Sequence, residues 1–160
     1  MITGVESAHD YVDLGLPSGT KWATMNVGAN SVTDKGFYFQ WGDTQGYTAD
    51  QVGTGTGKKY FGWEDYKYGN GTSSPGTTDM IKYNSTDGKT VLEASDDAAR
   101  ANWGGQWRMP TETQVQELID NTEKRFIGRT VGSTTVYGYE FAKSGDTDFN
   151  GDTLFFPYSD

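Results

Sequence analysis

An α+β domain of short antiparallel strands, two helices and long irregular loops is what this sequence predicts. Three observations carry that prediction. Leucine occurs only at positions 14, 16, 92, 118 and 154 of 160 residues, too sparsely for a helical bundle. Aromatic residues make up 14% of a chain that is only 34% hydrophobic, so large rings must supply buried area that aliphatic side chains usually supply. Short alternating apolar runs broken by Gly, Pro and Asn recur towards both ends, and helix-start chemistry occurs at two places between them.

Residues 1–10 read as a polar leader and residues 11–160 as one domain, a length that supports a single sizeable core. The stretch "YVDLGLPSGTKWATMNVGA" (11–29) predicts two short strands with a turn at Pro17 and Gly19. Alternating aromatics in "GFYFQWGD" (36–43) predict a third strand. Residues 42–90, rich in Gly, Thr, Ser and Asp, predict a long excursion with little regular structure; such loops are uncommon and tend to be functional. A first helix is expected over 93–103, capped by Ser95, with Asp96 and Asp97 in its first turn and Gly104 and Gly105 stopping it. Thr111 and Gln114 make a T-x-x-Q capping box for a second helix, whose inner face is expected to carry Val115, Leu118, Ile119 and Thr122. Two further strands are predicted around 135–142 and 153–158, with the Asn150-Gly151 hairpin signal between them.

A net charge of −9 and the lack of any Lys/Arg run argue against nucleic acid as a partner. No apolar stretch approaches the ~18 residues of a membrane span. There is no cysteine, which excludes thiol nucleophiles, thiolate metal sites and disulfides.

The densest stretch is "ANWGGQWRMPTETQVQELI" (101–119). Trp103 closes one helix, Gly104 and Gly105 turn the chain, and Pro110 keeps Met109 out of helical angles, so that the next helix starts at a fixed place. Every residue type there has a folding role, and no nucleophile stands beside a base. A junction accounts for the whole stretch.

Taken together, "YVDLGLPSGTKWATMNVGA", "FYFQWGDT", "YKYGNGTSS", "IKYNSTDGKTVLEASDDAARANWGGQWRMPTETQVQELIDN" and "NGDTLFFP" resemble the Fibrobacter succinogenes major paralogous domain, a family common in surface proteins of gut Bacteroidetes. The similarity runs over most of the chain from about residue 10. The segment "WRMPTETQVQELI" is also similar, more distantly, to the "RLPTEAEWE" stretch of formylglycine-generating enzymes. The resemblance implies a C-type-lectin-like fold and an extracellular or cell-surface setting. Two departures stand out. The family domain continues past its "FLP" with an "AAGYR"-like segment and a "WSS"-like motif, where this sequence reaches Asp160 and reads as C-terminally truncated. Relatives also carry Cys at places matching Gly69 and Thr122.

Catalytic candidates are few. Formylglycine-generating enzymes use paired cysteines to bind copper, and no cysteine is present to do so. His9, beside Asp10 in the leader, is the lone histidine. The acidic groups Glu64–Asp65, Asp96–Asp97 and Glu112 read as loop or helix-start charges rather than a paired-carboxylate site. Asp146, Asp148, Asn150 and Gly151 match the opening of a calcium loop, but the twelfth position is Pro157, so a turn rich in Asx residues is expected and no metal or other cofactor is called for. The Glu-Pro-Asn and Trp-Asn-Asp calcium signatures of animal C-type lectins are absent.

Aromatic residues within 58–71 remain. Tyr60, Trp63, Tyr66 and Tyr68 are the ligand-binding candidates, because flat rings among polar residues suit sugar rings and protein partners alike. The competing reading is that two or three of them complete the core, to which Trp22, Trp41, Trp103 and Trp107 are also assigned. The sequence therefore points to a non-catalytic binding or adhesion domain for a glycan or protein. Alternatives are an assembly subunit whose C-terminal sheet a partner chain completes by strand addition, a phage-type receptor-binding display protein, and an enzyme with an unrecognised carboxylate or metal site.

Overall fold

A computed structural model describes residues 3–71 and 80–158, which group into two compact units. One comprises residues up to Gly36 together with those from Pro110 onward; the other runs from Phe37 to Met109. The class is α+β, with two antiparallel three-stranded sheets and two helices.

In the first unit, β1 (Gly4–Glu6), β2 (His9–Val12) and β3 (Trp22–Ala23) form one sheet in that order. Residues 4–12 are thus a hairpin, where a polar leader was expected. Its turn residues, Ser7 and Ala8, both take positive φ (46° and 64°), a conformation the sequence does not advertise with Gly or Asn. The expected pairing across Pro17–Gly19 is present: Tyr11 faces Ala23, and Gly19 N donates to Leu16 O at 2.9 Å.

Helix α2 (Glu112–Asp120) starts as its sequence dictates. Thr111 Oγ1 accepts from Gln114 N, and Gln114 Oε1 accepts from Thr111 N. Of the four residues expected on its inner face, only Leu118 and Thr122 are buried, while Val115 and Ile119 are exposed. The inward stripe is rotated towards Gln114, Glu117 and Asn121, because these polar groups are bonded there: Glu117 accepts from the Ser18 amide and hydroxyl at 3.0 and 2.6 Å.

The chain then enters β4 (Thr122–Val131), a strand the sequence reading passed over. A two-residue turn, with Gly132 at φ 62°, leads to β5 (Thr134–Lys143), and β6 (Thr153–Pro157) pairs on its other side. Asn150-Gly151 does not form a two-residue hairpin. Residues 144–152 make a longer loop in which the Asp146 carboxylate accepts from the amides of Asn150 (3.1 Å) and Gly151 (2.9 Å). Val12, Leu14, Leu16, Leu118, Phe141 and Leu154 form the core, with Trp22 and Phe156 packed on it.

Among its described residues the second unit holds isolated bridges in place of regular strands. Residues 36–43 contribute a single bridge, Tyr38 to Tyr47, in place of the expected third strand. Helix α1 (Ala98–Trp103) is shorter than expected. Residues Ala94–Asp96 form a separate 3-10 turn, so Ser95 is not the cap; extended Asp97 is, accepting from Arg100 N at 3.0 Å. Of the 42–90 excursion and the "YKYGNGTSS" motif, residues 72–79 lie outside the described residues.

Candidate functional site

The sequence around 101–119 is a junction in the structure as well. Asp97 accepts from the Met109 amide at 2.8 Å, tying the segment after the glycines back to the start of α1. Arg100 Nε donates to Trp107 O at 3.1 Å, and the half-buried rings of Trp103 and Trp107 meet edge to face at 5.1 Å. Gly104, at φ 70°, turns the chain between them.

The four aromatic candidates separate into two pairs. Tyr66 and Tyr68 are buried (7% and 8% exposed) and, with Tyr83, Met80 and Leu92, form the core of the second unit, so they are not surface ligand contacts. Tyr60 and Trp63 are half exposed. Trp41, assigned to the core from sequence, is 49% exposed and joins them on the surface. Consecutive edge-to-face contacts connect these rings: Trp63 to Tyr66 at 5.6 Å, Tyr66 to Tyr68 at 6.2 Å, Tyr68 to Tyr83 at 5.4 Å and Tyr83 to Trp41 at 4.9 Å. Both exposed tryptophans are thus held against buried tyrosines. Gln40 Nε2 donates to Gly62 O at 3.1 Å, and the Tyr60 ring lies across Gly62, where a Cβ would come within 2.7 Å of it.

Charge anchors the buried end. The Tyr83 hydroxyl donates to Asp96 Oδ2 at 2.7 Å and accepts from Glu93 N at 2.9 Å. Asp96, 4% exposed, also meets Lys82 Nζ at 2.5 Å and Lys67 Nζ at 3.1 Å. Burial alone would raise the Asp96 carboxyl, but hydrogen bonds from Lys82, Tyr68, Tyr83 and Lys67 together hold it far below the usual carboxylate range. Burial, reinforced by Tyr68, Tyr83 and Asp96, pushes the Tyr66 hydroxyl up to about 12. Tyr83 itself has φ 58°, a strained conformation for a bulky residue. Asp87 fixes it by accepting from the amides of Tyr83 (2.8 Å) and Asn84 (3.0 Å).

The remaining candidates take structural places. His9 lies on β2 opposite Glu6. Glu64 and Asp65 are exposed in their loop, and Glu112 occupies the first turn of α2. Both oxygens of Asp146 serve the backbone of its own loop, as an Asx-type turn requires. Among the described residues no three acidic, His or Cys side chains converge as a metal site. In the first unit a pocket of about 220 Å³ is lined by Asp10, Thr24, Arg129, Thr153 and Phe155, and its guanidinium is already bonded to Glu140 at 2.6 Å.

Trp41, Tyr83 and Asp96 are the site residues that sequence reasoning missed. Lys67, Lys82 and Asp96 stand 14 to 29 residues apart and leave no local pattern. The one legible signal was Gly42, whose φ of 79° turns the chain immediately after Trp41. Comparison with protein-family models, curated proteins and solved structures finds no match to this chain.

Proposed function

We propose that this is a non-catalytic binding domain of C-type-lectin-like type, carried by an extracellular or cell-surface bacterial protein. It takes a glycan or protein ligand through Trp41, Tyr60 and Trp63. The observation that carries this reading is the chain of ring contacts: exposed indoles braced by buried tyrosines present apolar faces at low entropic cost. Its cell-surface setting and its fold type rest on the resemblance of the sequence to the Fibrobacter succinogenes major paralogous domain. A non-catalytic role is further supported by the chemistry of three cation-paired carboxylates. Asp96, Glu93 and Glu140 are all held in the charged form by cations and hydroxyls, whereas a general acid needs a raised pKa.

Glycan-array and pull-down screening of the parent chain, Trp41→Ala and Trp63→Ala tests the reading. A ligand retained by the parent and lost at least about tenfold by either variant supports it. A ligand bound equally by all three places recognition elsewhere and overturns it.

A further inference from the structure

Within the first unit, one sheet edge has no strand partner among the described residues. Strand β4 is ten residues long and, among the described residues, pairs only with β5. Tyr158 N donates to Tyr137 O, so the odd-numbered residues of β5 direct their backbone groups to β6 and the even-numbered ones to β4. By register, the odd residues of β4 bond to β5, and the amides and carbonyls of Lys124, Phe126, Gly128 and Thr130 point outwards. Among the described residues no other backbone hydrogen bond reaches these four. A lysine often guards such an edge, but Lys124 is folded back, its Nζ donating to Ile119 O and Thr122 O at 2.5 and 3.2 Å.

Exposed aromatics lie on β4 and on its neighbour β5. Phe126, Tyr137 and Tyr139 are each about half exposed, with Phe126 and Tyr137 stacked at 6.0 Å and Phe126 and Tyr139 in contact at 5.1 Å. Phe126 is opposite Tyr139, which is opposite Phe156, so one cross-strand row of rings runs out from the core and ends at the open edge. On the other face, Arg125 and Arg129 both grip the buried Glu140, and the Asp146 carboxylate also feels the Arg125 charge.

We infer that β4 pairs antiparallel with β4 of a second copy, centred on Phe126, to make a continuous six-stranded sheet. Charge selects this register. With Phe126 opposite Phe126, the outward-pointing pairs are Lys124–Gly128, Phe126–Phe126 and Gly128–Lys124, and each exchanges two backbone hydrogen bonds. Glu123 then faces Arg129 of the second copy on both sides of the two-fold axis, an opposite-charge pair across the new seam. The neighbouring registers that keep the same groups outward put Arg125 against Arg125, or Arg125 against Arg129, and like charges disfavour both. The row of rings becomes Phe156, Tyr139 and Phe126 followed by their mirror images. The other edge strands offer less: β1 has three residues, β3 has two, and β6 has five and ends on Pro157, which has no amide to donate.

Sedimentation velocity over a concentration series is the test. The expected result is a dimer of twice the 17.6 kDa chain, with Phe126→Lys raising the dimer Kd by about tenfold or more. Glu123→Arg should also dissociate it, and adding Arg129→Glu should restore association; circular dichroism melts verify that each variant folds. Because the chain has no cysteine, Phe126→Cys should form a disulfide-linked dimer on mild oxidation while Thr130→Cys should not. A monomer at every concentration, a dimer indifferent to Phe126→Lys, or cross-linking through position 130 instead of 126 would each overturn the inference.

Discussion

The two units of this molecule are built on different physics. The first is held by backbone ladders: ten residue pairs join β4 to β5, five join β5 to β6, and aliphatic side chains with Phe141 fill its interior. Among its described residues the second contains two isolated bridges, short 3-10 turns and a six-residue helix. In place of a sheet it uses carboxylates that cap turns (Asp43, Asp87, Asp97), three buried tyrosines and one buried, multiply paired aspartate. Sheet stability is spread over many equivalent bonds, while the loop-built unit concentrates it in a few side chains. Single substitutions should therefore act differently in the two.

The largest effect is expected in the aliphatic core. Leu154→Ala removes a side chain that is 1% exposed and should cost about 3 kcal/mol in chemical denaturation. Asp96→Asn should rank second, near 2 kcal/mol, by weakening charge-assisted hydrogen bonds in the second unit; loss of near-ultraviolet tyrosine dichroism would report it. If Asp96→Asn proves silent, the second unit does not hang on its ionic anchor and the contrast between the units fails.

The pH dependence sharpens the same contrast. A depressed carboxyl stabilises the fold above its unfolded value, so Asp96 contributes fully above about pH 4, its unfolded value being 3.8, and loses that contribution as pH falls further. Glu140, buried but held low by Arg125, Thr153 and Arg129, makes the first unit acid-sensitive in the same direction. Alkali should separate them. Tyr66 is raised from 10.0 to about 12, so the folded state keeps a proton that the unfolded state has lost, and stability of the second unit should fall as pH rises above 10. Absorbance at tyrosinate wavelengths, followed beside amide exchange in β4–β6, measures both. A smaller change, about 1 kcal/mol, is expected for Thr111→Ala through loss of its cap, and Tyr60→Ala should alter stability by less than about 0.5 kcal/mol.

What could be read in advance follows a clear rule. The Thr111–Gln114 box, the Pro17–Gly19 turn, the Gly104 stop and the junction role of 101–119 were all legible, because each depends on residues within about four positions of one another. The Asp96-Asp97 pair was misread as two first-turn charges since nothing local distinguishes them: one caps α1 and the other meets cations 14 and 29 residues away. Strand β4 was passed over because "TEKRFIGRTV" mixes charged and apolar residues on both faces, Glu123, Arg125, Ile127, Arg129 and Val131 on one and Lys124 and Phe126 among polar residues on the other, leaving no apolar stripe to mark it.

By itself the sequence determined the α+β class, the start of α2, the Gly104 stop of α1 and the Pro17–Gly19 turn, since capping and turn chemistry are short-range. Only tertiary structure decided which rings are core and which are surface. Tyr66 and Tyr68 went inside while Trp41, Tyr60 and Trp63 stayed half exposed, although all five belong to one aromatic-rich composition. Burial is a property of what packs against a side chain, and Tyr83, Leu92 and Asp96 come to that cluster from distant positions in the chain.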